Sequence, residues 1–325
     1  MKPLTTRQRS TSVLLLALVF IFVAPIILLY SIGYRLDDEL SLQKTGGIFI
    51  HSDVANSSVF LDGEYLKDSG IFVRNTLIQD LTPNKEYKVE VHKEGYQSWI
   101  KTLFVYPSIV SEGRVLLLPS DFDRREIYKY LDENKIATST PPSKIQLKPT
   151  NSEYISIAAL FASSTKATST KSVIATSTIA TNTPLEQKSD LQIFFESLSI
   201  DDFEKLPNLI VDGKEVSWLM KGDINLYWID DLTSIPYYYC GGEERLCIKN
   251  ITLDWKDDII RFEYLPGRND VWIALTQNGV YAVEVDGRTE RNIQKIYEGK
   301  KLDFRLTQND RLIIKEDTQF FEINL

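Results

Sequence analysis

The sequence predicts a mainly β protein with one transmembrane helix near its N-terminus. Three observations lead to this prediction. An apolar run without charged residues fills positions 13–32, short alternating runs broken by turn residues occupy 46–119, and similar runs return from 191 to 325. A helix satisfies its own backbone hydrogen bonds inside a bilayer, whereas alternation with period two is typical of half-buried strands.

The apolar run at 13–32 is long enough to cross a membrane, because about 20 helical residues span the roughly 30 Å hydrocarbon core. A cleaved signal peptide is the alternative. Its apolar core has about 7–15 residues and ends at small residues, whereas this run continues through Leu28, Leu29 and Tyr30. We therefore expect an uncleaved anchor, with cleavage as the alternative.

The charges on either side of the apolar run predict its orientation. Lys2, Arg7 and Arg9 precede it, and an acidic cluster follows it. Positive residues stay on the cytoplasmic side, so residues 1–12 are expected in the cytoplasm. A juxtamembrane segment at 33–45 and everything after it are expected outside. The predicted location is the cell membrane, with a single pass and the bulk of the chain extracytoplasmic.

The composition excludes some classes of partner. The formal net charge is −8 and the sequence pI is about 5.1, whereas phosphate backbones are bound by clustered Lys and Arg, so we expect no nucleic acid. No metal or cofactor is expected either. The only histidines are His51 and His92, and the sequence contains no phosphate-binding Gly loop, His-Glu-x-x-His motif or Gly-x-Ser-x-Gly motif.

Two cysteines, Cys240 and Cys247, flank a Gly-Gly turn. Two Cys side chains alone cannot supply the four ligands of a structural zinc site. In an oxidising compartment, a disulfide across the ends of this hairpin is the favoured prediction. The alternative is a pair of small hydrophobic residues on adjacent strands.

The segment 46–119 is predicted to be a small antiparallel β-sandwich, because its alternating runs are separated by turn residues about every 8–12 positions. Asp62-Gly63 is a hairpin turn, since Gly accepts a positive φ without steric cost. Trp99 follows a turn glycine closely and is expected to pack into the core rather than to form a binding face.

These residues also resemble a known family, the PEGA domain, a small β-sandwich of bacterial surface and envelope proteins. The resemblance departs at the family's name motif, where this chain has Asp-Val-Ala-Asn at 53–56, and at the turn at 83–86. It implies an envelope location and a sandwich fold, and it carries over no ligand. The residues that carry it are Val59-Phe-Leu-Asp-Gly63, Leu81-Thr-Pro83, Tyr87-Lys-Val-Glu-Val91, Lys93-Glu-Gly-Tyr96 and Trp99.

Residues 120–190 are predicted to be a disordered Ser/Thr-rich linker. Ala-Thr-Ser-Thr recurs at 137–140, 167–170 and 175–178. Such a segment buries too little apolar area to offset its ordering entropy. An apolar island at 154–161 interrupts it and is a candidate for weak docking on a neighbouring domain.

Residues 191–325 are predicted to form a β-meander. Shifted by 40 positions, Asn269-Asp270 falls on Asn309-Asp310, and a shift of 31 also gives matches, so the repeat period stays open. A period near 40 suits four-stranded propeller blades. The segment holds about three such blades, whereas closed propellers use roughly four to eight. We therefore expect propeller-like blades in an incomplete array, or a compact multi-sheet β domain.

Aromatic residues are concentrated in the first half of this meander. Alternation along a strand sends about half of them inward, and Trp218 and Trp272 are expected in the core. The predicted binding residues, on an exposed aromatic surface, are Tyr237, Tyr238, Tyr239 and Trp255.

Two hypotheses of function follow. The leading one is a non-enzymatic, membrane-anchored envelope module for protein or glycan, in which the linker presents an acidic β domain. The alternative is a membrane-tethered carbohydrate-active enzyme, which needs two carboxylates about 5–10 Å apart, one with a raised pKa. A structural spacer without a partner is a third hypothesis. Carboxylates beside turns are usually solvated strand ends, which is the alternative explanation for the candidates. These are Asp230, Asp231, Asp254, Asp257 and Asp258.

Overall fold

A computed structural model describes residues 6–36, 41–69, 74–127, 130–131, 137–138, 152–162, 208–253, 255, 257–307, 309 and 311–325. Strands dominate these residues, which confirms the mainly β class. The chain packs into two units. The first comprises Met1–Val91 and Thr102–Val115, and the second comprises His92–Lys101 and Leu116–Leu325.

The elements of the N-terminal part follow one another without long interruptions. In chain order they are α1 (Thr6–Ser31), β1 (Tyr34–Leu36), β2 (Leu42–Lys44), β3 (Gly46–Ser52), β4 (Ser58–Leu61), β5 (Glu64–Asp68), β6 (Thr76–Leu81), β7 (Lys85–His92), β8 (Trp99–Val105) and β9 (Val110–Val115).

The remaining elements belong to the second unit. They are β10 (Arg124–Ile127), β11 (Tyr130–Leu131), β12 (Ala137–Thr138), α2 (Ser152–Ala162), β13 (Ile210–Asp212), β14 (Glu215–Met220), β15 (Asp223–Trp228), a 3-10 turn (Tyr237–Tyr239), β16 (Cys240–Gly241), β17 (Leu246–Cys247), β18 (Asn250–Leu253), β19 (Arg261–Tyr264), β20 (Val271–Leu275), β21 (Gly279–Glu284), β22 (Ile293–Glu298), β23 (Leu302–Leu306), β24 (Leu312–Glu316) and β25 (Gln319–Ile323).

Helix α1 contains the predicted apolar run. Its portion Ser10–Ser31 has a mean hydropathy of 3.1 and is long and apolar enough to cross a membrane. A signal sequence near the N-terminus can also be this long and apolar, so this property alone does not separate an anchor from a signal sequence. The large apolar side chains of this portion are exposed in the folded chain. A lipid environment would cover them.

The last turn of α1 is tied directly to the first unit. The strands β1 and β2 pair immediately after it, and the backbone N–H of Thr45 donates to the carbonyl of Gly33 at 2.8 Å. The Arg35 guanidinium lies 3.5 Å from the centre of the Tyr30 ring. It also donates to the Tyr30 carbonyl at 2.8 Å and to Asp80 Oδ1 at 2.7 Å. The helix therefore passes into folded structure without an intervening unpaired segment.

The first unit contains two larger sheets, with strand orders β6-β3-β9 and β5-β4-β7-β8. The predicted turn at Asp62-Gly63 joins β4 to β5, and both residues have positive φ. Pairing between β3 and β9 is parallel, so the prediction of a purely antiparallel segment is wrong there. Alternation identifies a strand but carries no direction, and no local turn links these two strands.

Three four-stranded antiparallel sheets build most of the second unit. Their strand orders are β13-β14-β15-β18, β19-β20-β21-β22 and β10-β25-β24-β23. Among the described residues no closed propeller or barrel is formed. One apolar core joins the first two sheets and includes Trp272, Leu226 and Leu253. Trp218 is buried with Val216 in a separate cluster, so the predicted burial of Trp99, Trp218 and Trp272 is confirmed.

Part of the predicted linker at 120–190 is regular structure in the second unit. Strand β10 completes the third sheet by pairing with β25, and the apolar island forms α2. Helical spacing places its apolar side chains on one stripe, which packs on that sheet. The linker prediction for 163–190 concerns residues outside the described part. The packed residues of α2 are Tyr154, Ile157, Ala158 and Phe161, against Ile127, Ile313 and Phe320.

Charged residues at its first turn hold α2 in the same place. Glu153 accepts from Arg125 at 2.6 Å and from Arg311 at 3.3 Å. The hydrogen bond from Arg125 is the main reason that the pKa of Glu153 lies below its ordinary value. The helix is thus docked by an apolar stripe and by ion pairs at one end.

The docking of α2 predicts unequal effects of two substitutions on one helix. Ile157 is 5% exposed and Ile155 is 54% exposed. Ile157→Ala is expected to lower the free energy of unfolding by about 2–4 kcal/mol because it leaves a cavity. Ile155→Ala should change it by less than about 0.5 kcal/mol. Denaturant titration of the full chain in detergent measures both, and equal effects would contradict the docked position of α2.

Candidate functional site

The three consecutive tyrosines lie in a 3-10 turn rather than in an exposed strand. Tyr238 is 5% exposed and Tyr239 is 2% exposed, so the prediction of an exposed patch is wrong for these two. The side chains of a 3-10 turn do not alternate between two faces as those of a strand do. The rings of Tyr238 and Tyr239 belong to the apolar core that joins the first two sheets of the second unit. Tyr237 is half-buried, and the Arg288 guanidinium lies 4.8 Å from its ring centre.

The fourth predicted binding residue, Trp255, is half-buried. Its ring meets that of Tyr281 edge to face, with ring centres 4.9 Å apart. The tyrosines instead contact one another, with 5.4 Å between the ring centres of Tyr237 and Tyr238. The structure therefore explains these aromatic residues mainly as packing groups.

A buried carboxyl group, Glu215, is the chemically distinctive neighbour of this turn. The Tyr238 hydroxyl donates to Glu215 Oε1 at 2.6 Å. Burial raises the pKa of Glu215 to about 7, although the hydrogen bond from Tyr238 and the nearby Tyr239 hydroxyl oppose the shift. Burial also raises the pKa of both phenols, and the Glu215 charge adds to this effect. The group can therefore bind or release a proton close to neutral pH.

Several buried polar atoms close to Glu215 lack a hydrogen-bond partner within the described part of the chain. They include Ser217 Oγ, Tyr239 OH, Tyr264 OH and Trp272 Nε1. Burial raises the pKa of Tyr264, and the polar atoms of Ser217 and Trp272 act in the opposite direction. Such unsatisfied atoms are uncommon in folded proteins. Bound water would satisfy them, whereas no group of three metal-binding side chains occurs among the described residues.

Asp230 and Asp231, two of the carboxylates of the enzyme hypothesis, lie next to a turn. The Asp230 side chain pairs with Lys214, and Asp231 Oδ1 accepts from the Thr233 hydroxyl and from the Thr233 backbone N–H at 2.9 Å. These hydrogen bonds lower the pKa of both carboxyl groups, which is the opposite of what a general acid needs. Asp254 lies outside the described residues.

The cysteine pair forms a disulfide at the base of a short hairpin. Strands β16 and β17 pair Cys240 with Cys247. The backbone N–H of Ile248 donates to the Tyr239 carbonyl at 3.0 Å, which fixes the hairpin on the tyrosine turn. Leu246 is 65% exposed and Ile248 is 59% exposed. The hairpin therefore presents two apolar side chains to solvent from a braced backbone.

A second buried charged cluster was missed by the sequence analysis. Lys101 is 1% exposed, and its Nζ lies 3.0 Å from Glu284 Oε2 and 3.4 Å from Asp286 Oδ2. Trp99 Nε1 donates to Glu284 Oε1. The signal was present in β8, where Lys101 occupies the inward phase of the strand, in step with Trp99 and Leu103.

No protein-family model matches this chain, and no curated protein matches it either. The resemblance to the PEGA domain therefore stays a prediction.

The raised pKa of Glu215 predicts a pH dependence of stability. Its folded pKa of about 7 exceeds the ordinary value of 4.5, so the folded state binds this proton more tightly than the unfolded state. The contribution of Glu215 to the free energy of unfolding is fully present below pH 4.5 and is lost as the pH rises through about 7. The total loss is about 3 kcal/mol.

Glu215→Gln tests this dependence because the amide does not ionise and still accepts from Tyr238. We expect the variant to be more stable than the wild type above pH 7. Between pH 4.5 and 7, the free energy of unfolding of the variant should change less with pH than that of the wild type. Denaturant titrations over this pH range measure the difference. Glu243→Gln, at an exposed position, is the matched control, and equal pH profiles for the wild type and Glu215→Gln would contradict the assignment.

Proposed function

We propose that the chain is a single-pass, membrane-anchored extracytoplasmic protein that acts as a non-enzymatic interaction or scaffold module of the cell envelope, with a protein or a glycan as partner. The observation that carries the proposal is the direct connection between α1 and the folded first unit. The charge pattern around 13–32 supports the orientation.

The junction after α1 supports a retained helix over a cleaved signal. Residues that follow the helix are paired in β1 and β2, and Arg35 links the Tyr30 carbonyl to Asp80. Cleavage after Ser31 would remove the Tyr30 carbonyl and ring that Arg35 contacts. Tyr30 and Tyr34 also suit a membrane–water interface, where Tyr is enriched.

The disulfide supports the extracytoplasmic placement of the second unit. Disulfides persist in oxidising compartments and are rare in the cytoplasm. The bond between Cys240 and Cys247 agrees with the orientation that the basic N-terminus predicts. Both features support the same side of the membrane.

The architecture we propose is a PEGA-like sandwich followed by propeller-like blades in an incomplete array. The two larger sheets of the first unit and the turn at Asp62-Gly63 support the first part. The three four-stranded sheets of the second unit support the second part, because a blade is a four-stranded antiparallel sheet.

The braced hairpin is the proposed contact surface for the partner. Exposed apolar side chains on a rigid backbone bind with little loss of conformational entropy, and Leu246 and Ile248 meet this description. Glu243 and Glu244 at the tip are also exposed. This surface replaces the buried tyrosines of the sequence prediction as the binding candidate.

Protease digestion of intact cells, or of spheroplasts where an outer barrier exists, tests the topology. We expect added protease to degrade the region after Lys44, and N-terminal sequencing of the undigested protein to show that α1 is retained. Disruption of the membrane should be needed before residues 1–12 become accessible. A protected C-terminal region, or a mature N-terminus after Ser31, would contradict the proposed anchoring.

Photo-crosslinking tests the contact surface. A photoreactive residue at position 246 is expected to crosslink to an envelope component in intact cells, and Ile248→Asp should lower the yield about tenfold, the effect of about 1.4 kcal/mol. Ile260→Asp is the matched control, because Ile260 is 52% exposed but lies outside the hairpin. Equal yields in both variants would show that the hairpin is not the contact.

A further inference from the structure

We propose that Lys101 and Glu284 are joined by an intramolecular isopeptide bond within the second unit. The bond would link β8 to the end of β21 across a sequence separation of 183 residues. It concerns a covalent modification and does not depend on the proposed function.

The geometry places an amine against a carboxyl group in a site that excludes water. Lys101 Nζ lies 3.0 Å from Glu284 Oε2 and 2.8 Å from the carbonyl oxygen of Asp286. Both side chains are almost completely buried. Reacting groups held about 3–3.5 Å apart reach effective concentrations of roughly 10⁵–10⁸ M. A reaction that is negligible between free side chains in water becomes feasible under these conditions.

Trp99 supplies the donor that amide formation needs at the acyl oxygen. Its Nε1 lies 2.5 Å from Glu284 Oε1. When nitrogen attacks the carboxyl carbon, negative charge develops on this oxygen, and a fixed N–H donor stabilises that charge. Trp99 and Lys101 lie on the same face of one strand, so a single element positions both groups.

Asp286 is assigned as the proton acceptor rather than as the acyl group. Arg288 holds it with Nε at 3.0 Å from Oδ1 and a terminal nitrogen at 2.8 Å from Oδ2. Burial would raise the pKa of Asp286, but Arg288 and Lys101 outweigh burial and lower it. The anion is a poor electrophile. Its Oδ2 lies 3.4 Å from Lys101 Nζ, close enough to take the proton from the nitrogen once attack on the carboxyl carbon has made that N–H strongly acidic.

The protonation state of Glu284 complements that of Asp286. Burial raises the pKa of Glu284, although the attraction of Lys101 opposes this shift. When the proton between Lys101 Nζ and Glu284 Oε2 lies on the carboxyl oxygen, the two groups are an amine and a carboxylic acid. This pair is the one that reacts.

The step balances without an added reagent. The amine lone pair of Lys101 forms a bond to Cδ of Glu284, and the carbonyl electrons move to Oε1, beside Trp99. The proton lost from nitrogen passes to Asp286. The carbon–oxygen bond to the former hydroxyl then breaks, and the hydroxyl leaves with that proton as water. An amine and a carboxylic acid become a secondary amide and water, Asp286 is regenerated, and nothing is oxidised or reduced.

Mass spectrometry of the full-length chain tests the bond. The protein is purified in detergent, reduced to open the disulfide, and denatured. We expect the intact mass to be lower than the sequence mass by one water molecule, and a tryptic digest to contain one branched peptide that joins Lys101 to Glu284. Lys101→Arg should restore the full sequence mass, because the guanidinium does not form this amide. Asp286→Asn should leave most of the chain unlinked.

Lys295→Arg is the matched control. Lys295 lies 2.8 Å from Glu298, but both side chains are exposed, so this variant should keep the loss of one water. The wild-type measurement decides the matter even if a variant fails to fold. A full sequence mass with a free Lys101 peptide would overturn the proposal, as would a loss of water without the branched peptide. A branch at Asp286 would overturn the assignment of Glu284 as the acyl group.

Discussion

The burial of Lys101 is the constraint on which much of the second unit depends. A buried Lys nitrogen is costly unless oxygen atoms surround it. Glu284, the carbonyl of Asp286 and the Asp286 side chain supply these oxygen atoms, and Arg288 pairs with the Asp286 carboxylate. The segment His92–Lys101 thereby becomes part of the second unit, although the strand that carries Lys101 continues into the first.

Backbone and amide contacts reinforce this attachment on both sides. Gln97 exchanges hydrogen bonds with the backbone of Lys295, and Gln294 bonds the backbone of Leu116 and Leu118. Two separate stretches of the N-terminal half are therefore held by β22. The Gln97 side chain thereby occupies both backbone groups of Lys295 on the edge strand β22, which keeps that residue from pairing with another chain.

Local patterns predicted the local structure well. The charge-free run gave α1, Asp62-Gly63 gave a hairpin, and the large apolar side chains Trp218 and Trp272 gave core positions. Pairings between distant strands were not predictable in this way. The parallel contact of β3 with β9 and the pairing of β10 with β25 depend on long-range complementarity that no short window contains.

Errors at the candidate site have physical causes of the same kind. The three tyrosines were expected in a strand with an exposed aromatic surface, but a 3-10 turn buries Tyr238 and Tyr239 beside Glu215. Lys101 and Glu284 were overlooked because charged residues are normally exposed, and only their inward phase within apolar strands marked them. Lys101 and Glu284 lie 183 positions apart in the sequence, so no local pattern indicates that the two side chains meet.

The position of β10 changes the meaning of the Ser/Thr-rich stretch. Both β10, before it, and β13, after it, belong to the second unit. Along the chain, the stretch therefore does not lie between the two units. Adding or removing residues there would not alter the number of residues between the end of α1 and His92, where the second unit begins.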